Sequence, residues 1–229
     1  MDKRQKIRNF STFNFFSFFC FLIYVFCFLS IVNADDMPSK AALVMDGKSG
    51  NILYAKNPHL RVPPASTTKL LTAMVVLDRL SLDFIVTISE NAAETPSVTP
   101  NLNKGERYTV KDLLYLALMR SVNSAAVALA EATAGSEEKF VNLMNEKVYK
   151  IGLENTRFIN ASGLPGPDQY ITAFDLAIIM KESLRYPTIR EIINTKEKDI
   201  YSIDGRKLYV KNTNNLLWKN DTILGGKTG

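Results

Sequence analysis

The sequence predicts an α+β domain whose helices pack on an antiparallel sheet, and three observations carry that expectation. A strand pair around a Gly-containing turn falls at residues 41–55, helix-patterned segments fill residues 66–184, and strand-patterned residues return at 200–210. No repeat interrupts this order, and 229 residues with 46% hydrophobic content can bury a sizeable core.

Residues 1–34 read as an export signal. Basic Lys3, Arg4, Lys6 and Arg8 precede a Phe-rich apolar run from Phe15 to Val32, and Val32-Asn33-Ala34 sets small or aliphatic residues before Asp35. A run of about 18 apolar residues can also span a bilayer, so the leader is either cleaved or kept as an anchor, and the chain meets a membrane only if it is kept. Residues 35–229 are then expected in the periplasm or on the outer face of the cytoplasmic membrane. Both cysteines, Cys20 and Cys27, lie in the leader, which leaves the rest without disulfide or thiolate chemistry. Of the formal charge of +5, the leader carries +3, and the small remainder argues against nucleic acid as a partner.

The elements follow in order. Ala41–Met45 and Asn51–Ala55 flank Asp46-Gly47-Lys48-Ser49-Gly50 as a hairpin. Pro63-Pro64 holds the chain extended, and the Gly-free stretch after Ala65 starts a helix that is apolar on nearly every face from Leu70 to Leu77. A short strand is expected at Phe84–Ile88, a polar loop from Ser89 to Tyr108, and helices at Thr109–Met119 and Asn123–Ala134, the second ending at Gly135. Ser136–Ile151 and Thr172–Leu184 are two more helices, and Asp204-Gly205 joins Ile200–Ile203 to Leu208–Val210 as a tight hairpin.

The central helix carries the candidate chemistry. Ser66 and Lys69 stand three apart on its first turn, which puts a hydroxyl and an amine on one face. Ser136-Glu137-Glu138-Lys139 has the same spacing but a charged first turn, and reads as a capped, exposed helix start. Ser121-Val122-Asn123 occupies a helix junction where polar side chains can be aimed inward, whereas Ser89-Glu90-Asn91 reads as polar loop. Gly225-Gly226-Lys227-Thr228 is no phosphate-binding loop, because Asp221 stands where its first glycine is needed and no helix follows.

Ser66-x-x-Lys69, Ser121-x-Asn123 and Lys227-Thr228-Gly229 occur in the order found in penicillin-binding proteins and serine beta-lactamases. With Pro64–Lys69, Ser121–Ala126, Asn160–Leu164 and Tyr170–Ala177, the chain from Ala41 to Gly229 resembles the low-molecular-mass D-alanyl-D-alanine carboxypeptidases. The resemblance implies a beta-lactamase/transpeptidase-like fold over residues 35–229, peptidoglycan stem peptides and beta-lactams as partners, and neither cofactor nor metal. It implies Ser66 as the acylated nucleophile, Lys69 as its base, and Ser121 as proton relay to the leaving amine. Asn123 would orient the substrate amide, and Lys227 and Thr228 would meet the terminal carboxylate. The second oxyanion donor of the family is the amide directly after Gly229, and two further strands and a helix follow it there. The resemblance therefore implies that a chain ending at Gly229 is a fragment or a damaged product of low activity.

The residue types agree with that reading. A Ser-His-Asp triad would need His59, a loop histidine with no acid indicated nearby, so lysine is the base. Lysine serves as one only where burial or a second cation disfavours its ammonium, and Lys227 is the natural second cation. A class A beta-lactamase needs a glutamate in an E-x-x-L-N context, and Glu191-Ile192-Ile193-Asn194 lacks the spacing. A D,D-endopeptidase using the same machinery, and an inactive wall-peptide or penicillin-binding relative, stay open.

Overall fold

Helix α1 (Thr68–Leu77) is the axis of the domain: every residue from Thr68 to Val76 is buried. The protein is described here by a computed structural model of residues 38–229, in which Lys40–Gly229 forms one compact unit. The leader at residues 1–34 lies outside the described residues. Among those described, no helix is long and apolar enough to cross a membrane.

Before α1, strands β1 (Ala42–Met45) and β2 (Ile52–Lys56) pair antiparallel as expected. Their turn is closed by Asp46, whose carboxylate accepts from the amide and hydroxyl of Ser49 at 2.6 Å each. After α1 comes β3 (Ile85–Thr87), and then the first difference from the sequence reading. Ser89 caps a short helix, α2 (Glu90–Glu94), and residues 107–109 form β4 (Arg107–Thr109) antiparallel to β3. Three residues are too few for alternation to register as a strand signal. What fixes β4 is tertiary: Tyr108 is fully buried.

The helical block follows its capping residues. Thr109 accepts from the Asp112 amide at 3.1 Å and starts α3 (Val110–Met119). Helix α4 (Asn123–Ala134) stops at Gly135, whose φ of 81° is left-handed. Helix α5 (Glu137–Lys150) has Glu137 and Glu138 in its first turn and Lys147 and Lys150 in its last, matching the helix dipole. Thr172 caps α6 (Ala173–Ser183) through the Asp175 amide at 3.0 Å. Helices α3, α4, α5 and α6 all pack on α1. Phe140 of α5 is completely enclosed in the shared core, and burying a side chain of that size contributes about 2 kcal/mol.

Helix α7 (Pro187–Asn194) was not expected. Its signal is present but short: Pro187 at the first position, then Ile189, Ile192 and Ile193, buried on one face. Strands β5 (Glu197–Tyr201) and β6 (Lys207–Lys211) pair antiparallel, with Tyr201 opposite Lys207. The connection is thus residues 202–206, not a two-residue turn at Asp204-Gly205, and the Ser202 amide donates to the Arg206 carbonyl at 2.9 Å within it. The domain is α+β with antiparallel strands, which are distributed as three two-stranded pairs among the described residues.

Candidate active site

Ser66 does not lie in α1 itself but in a 3-10 turn, Ala65–Thr67, that leads into it. Lys69 lies three residues on, in the first turn of α1, and its Nζ is 3.2 Å from Ser66 Oγ. The turn is held on both sides. Val62 exchanges backbone hydrogen bonds with Ile171 at 2.9 Å each, and the Thr68 hydroxyl donates to the Ala65 carbonyl at 2.8 Å. Gly163 packs so closely on this turn that a Cβ there would sit 1.8 Å from the Ala65 carbonyl oxygen.

Lys69 is 0% exposed, and its Nζ has three neighbours: Ser162 O at 2.6 Å, Asn123 Oδ1 at 2.7 Å and Ser66 Oγ at 3.2 Å. Burial, and secondarily the charge of Lys227, lowers its pKa to about 7. A neutral amine has two N–H bonds and one lone pair. The carbonyl oxygens of Ser162 and Asn123 can only accept, so they take the two N–H bonds, and the lone pair is left for the Ser66 hydroxyl. That arrangement points the amine lone pair at the Ser66 hydroxyl, the geometry that a base at Lys69 requires.

The second motif stands opposite. Ser121 sits at the α3–α4 junction with φ of 68°, a left-handed conformation that is uncommon for a residue with a Cβ. Lys227 Nζ donates to Ser121 Oγ at 3.1 Å and to the Thr228 carbonyl at 2.6 Å. Burial lowers the Lys227 pKa to about 8. The Thr228 and Thr213 hydroxyls are 2.6 Å apart. A Cβ on Gly229 would lie 3.6 Å from the Ser66 amide nitrogen, so the third motif reaches back to the first. All seven expected site residues, Ser66, Lys69, Ser121, Asn123, Lys227, Thr228 and Gly229, meet in one place. Residues 227–229 pair with no strand among the described residues; Thr213 and Ser121 hold them instead.

The sequence reading assigned no role to the Ser162 carbonyl, nor to Pro96 and Ser97, which hold Asn123. Asn123 Nδ2 donates to Pro96 O at 2.7 Å and its backbone amide to Ser97 Oγ at 2.8 Å. The Ser162 and Pro96 carbonyls carry no residue-type signal, and the Ser97 hydroxyl reaches Asn123 from 26 residues away with no local pattern to mark it.

The competing motifs go elsewhere. Ser136 accepts from the Lys139 amide as the cap of α5. Ser89 and Asn91 both donate to Glu131, at 2.6 and 2.8 Å, and belong to a capped helix instead of the polar loop expected there. His59 is exposed and packs on the Phe174 ring. The Glu191 carboxylate accepts from the Tyr115 hydroxyl at 2.6 Å. Among the described residues no cluster of three or more His, Cys, Asp or Glu could hold a metal ion.

The family model of peptidase S11, D-alanyl-D-alanine carboxypeptidase, matches residues 29–229. The chain belongs to that family. Within S11, it is 37% identical over 196 residues to the D-alanyl-D-alanine carboxypeptidase DacF of Bacillus subtilis, covering 83% of this chain and 50% of that one. It is 38% identical over 185 residues to a D-alanyl-D-alanine endopeptidase of Pseudomonas aeruginosa, covering 80% of this chain and 59% of that one. The chain thus spans about half the length of the curated relatives it matches. The crystal structure of a Mycobacterium tuberculosis D-alanyl-D-alanine carboxypeptidase superposes with a TM-score of 0.79 at 31% identity, over 84% of this chain and 73% of that one. The S11 fold expected from the motifs is therefore the fold observed.

Proposed function

We propose that the protein is a serine-type D-Ala-D-Ala carboxypeptidase that trims the terminal D-alanine from peptidoglycan stem peptides through an ester on Ser66. The observation that carries this reading is the buried Lys69 amine, 3.2 Å from Ser66 Oγ, with a pKa near neutrality. Ser66 Oγ attacks the carbonyl of the penultimate residue as its proton passes to Lys69 Nζ. The Ser66 N–H, at the start of the helix, donates to the developing oxyanion. The C–N bond to the terminal D-alanine breaks, and the leaving amine takes a proton through Ser121. Asn123 orients the substrate amide, and Lys227 with Thr228 receives the terminal carboxylate, a charge-assisted contact. Water then hydrolyses the ester. A beta-lactam follows the first half of this path and is trapped as an adduct.

A D,D-endopeptidase activity on cross-linked peptides is the second reading, favoured by the similar identity to the Pseudomonas aeruginosa endopeptidase. Release of free D-alanine from a bis-D-alanyl peptide supports the first reading, and cleavage of a cross-linked dimer without it supports the second. Absence of any penicillin adduct on Ser66 by mass spectrometry would overturn both. The leader reading places the enzyme outside the cytoplasm. A fusion of residues 1–40 to a reporter active only after export tests that, and a cytoplasmic signal would exclude it.

A further inference from the structure

We infer that residues 89–99 form a strap that positions the Ser121-x-Asn123 motif, with Ser97 as its key positioning residue. The inference rests on the proposed roles of Lys69 and Asn123. Three contacts fasten the strap to the α3–α4 junction. The Asn123 amide donates to Ser97 Oγ at 2.8 Å, Asn123 Nδ2 donates to Pro96 O at 2.7 Å, and Arg120 Nε donates to Thr99 O at 2.9 Å. These contacts fall on both sides of Ser121, whose left-handed backbone needs its surroundings to hold it. The strap's other end is tied two turns further along α4, where Glu131 accepts from Ser89 at 2.6 Å and Asn91 at 2.8 Å. The second S-x-N motif, which has no place in the chemistry, thereby acquires one in the architecture.

Helix α4 explains why Ser97 matters. Its first amides need acceptors, and Val122, at the capping position, supplies no side-chain oxygen. Ser97 caps the helix from a remote segment. The same residue whose amide it binds presents Oδ1 to Lys69 Nζ at 2.7 Å, so a shift of Asn123 removes one of the two acceptors that direct the lysine lone pair toward Ser66.

The test uses the full chain with Ser97→Ala and Ser97→Thr, the second of which keeps the hydroxyl. Hydrogen exchange of the Asn123 amide and NMR titration of Lys69 report positioning without requiring turnover. Penicillin acylation of Ser66 reports its consequence. Ser97→Ala should speed exchange of that amide, move the Lys69 titration, and slow acylation, the last by about tenfold for one lost hydrogen bond. Ser97→Thr should restore all three, while Ser97→Ala, as the loss of a helix cap, should also lower the melting temperature, a loss that Ser97→Thr recovers. Unchanged exchange and titration in Ser97→Ala would overturn the inference. A wild-type protein that penicillin does not acylate would instead sink the functional reading, while exchange and titration still decide whether Ser97 positions Asn123.

Discussion

Lys69 Nζ stands 2.7 Å from Asn123 Oδ1 and 3.2 Å from Ser66 Oγ, so its firmer side-chain contact is with Asn123 and its looser one with the proposed nucleophile. The amine must be neutral to take the Ser66 proton, and its pKa is about 7. Acylation by penicillin should therefore climb as pH rises through that value and fall about tenfold per unit below it. Burial is the larger cause of the lowered pKa and the Lys227 charge the smaller. Lys227→Gln removes a repelling cation, so the Lys69 pKa should rise and the acid limb should move to higher pH. A pH–rate profile whose acid limb stays in place would exclude electrostatic coupling between the two lysines.

The same burial has a cost in stability. A lysine with a pKa lowered to about 7 in the folded chain binds fewer protons between that value and its ordinary 10.5 than it does unfolded. Stability then increases with pH across that window, and below it the folded state carries the whole penalty of a buried charge. Lys69→Met should flatten the rise in melting temperature between pH 7 and pH 10 contributed by this residue. If wild type and variant show the same slope, the lysine is not the group responsible.

The helical block and the site were legible in the sequence for different reasons. Thr109, Ser136 and Thr172 are oxygen-bearing caps ahead of apolar periodicity, and each starts a helix where expected. Ser66, Ser121 and Lys227 were legible because motif spacing fixed which side chains must meet. Strand β4, helix α2 and helix α7 were not, because each is shorter than the window in which periodicity becomes clear. The 3-10 lead-in at Ala65–Thr67 escaped for another reason: it packs closely against Gly163, a long-range contact with no local signature.

Ser66 and Ser136 share a spacing to lysine and should respond oppositely to loss of the hydroxyl. Ser66→Ala should abolish the penicillin adduct and leave the fold intact, because the Ser66 side chain is half-exposed in a turn held by its neighbours. Ser136→Ala removes the cap of α5 and should cost about 1 kcal/mol in stability with acylation unchanged. Thermal melts and labelled-penicillin rates on the two variants decide it. An adduct that survives Ser66→Ala would assign the nucleophile elsewhere.

Gly163 and Gly152 have nearly the same backbone, with φ of 82° and 76°, but very different surroundings. A Cβ on Gly152 meets nothing within 4 Å, whereas on Gly163 it would sit 1.8 Å from the Ala65 carbonyl oxygen and 2.8 Å from Thr68 Oγ1. Gly152→Ala should pay only the left-handed penalty of about 1 kcal/mol and leave penicillin acylation unaffected. Gly163→Ala pays that penalty and must also push the 3-10 turn away, displacing Ser66 relative to Lys69. A displacement of about 1 Å at a reacting group costs roughly 100-fold in rate, so acylation should fall by that order while the protein still folds. Comparing the two variants separates backbone strain from steric displacement, since both share the first. Equal acylation rates for Gly152→Ala and Gly163→Ala would show that the turn carrying Ser66 yields without moving the nucleophile.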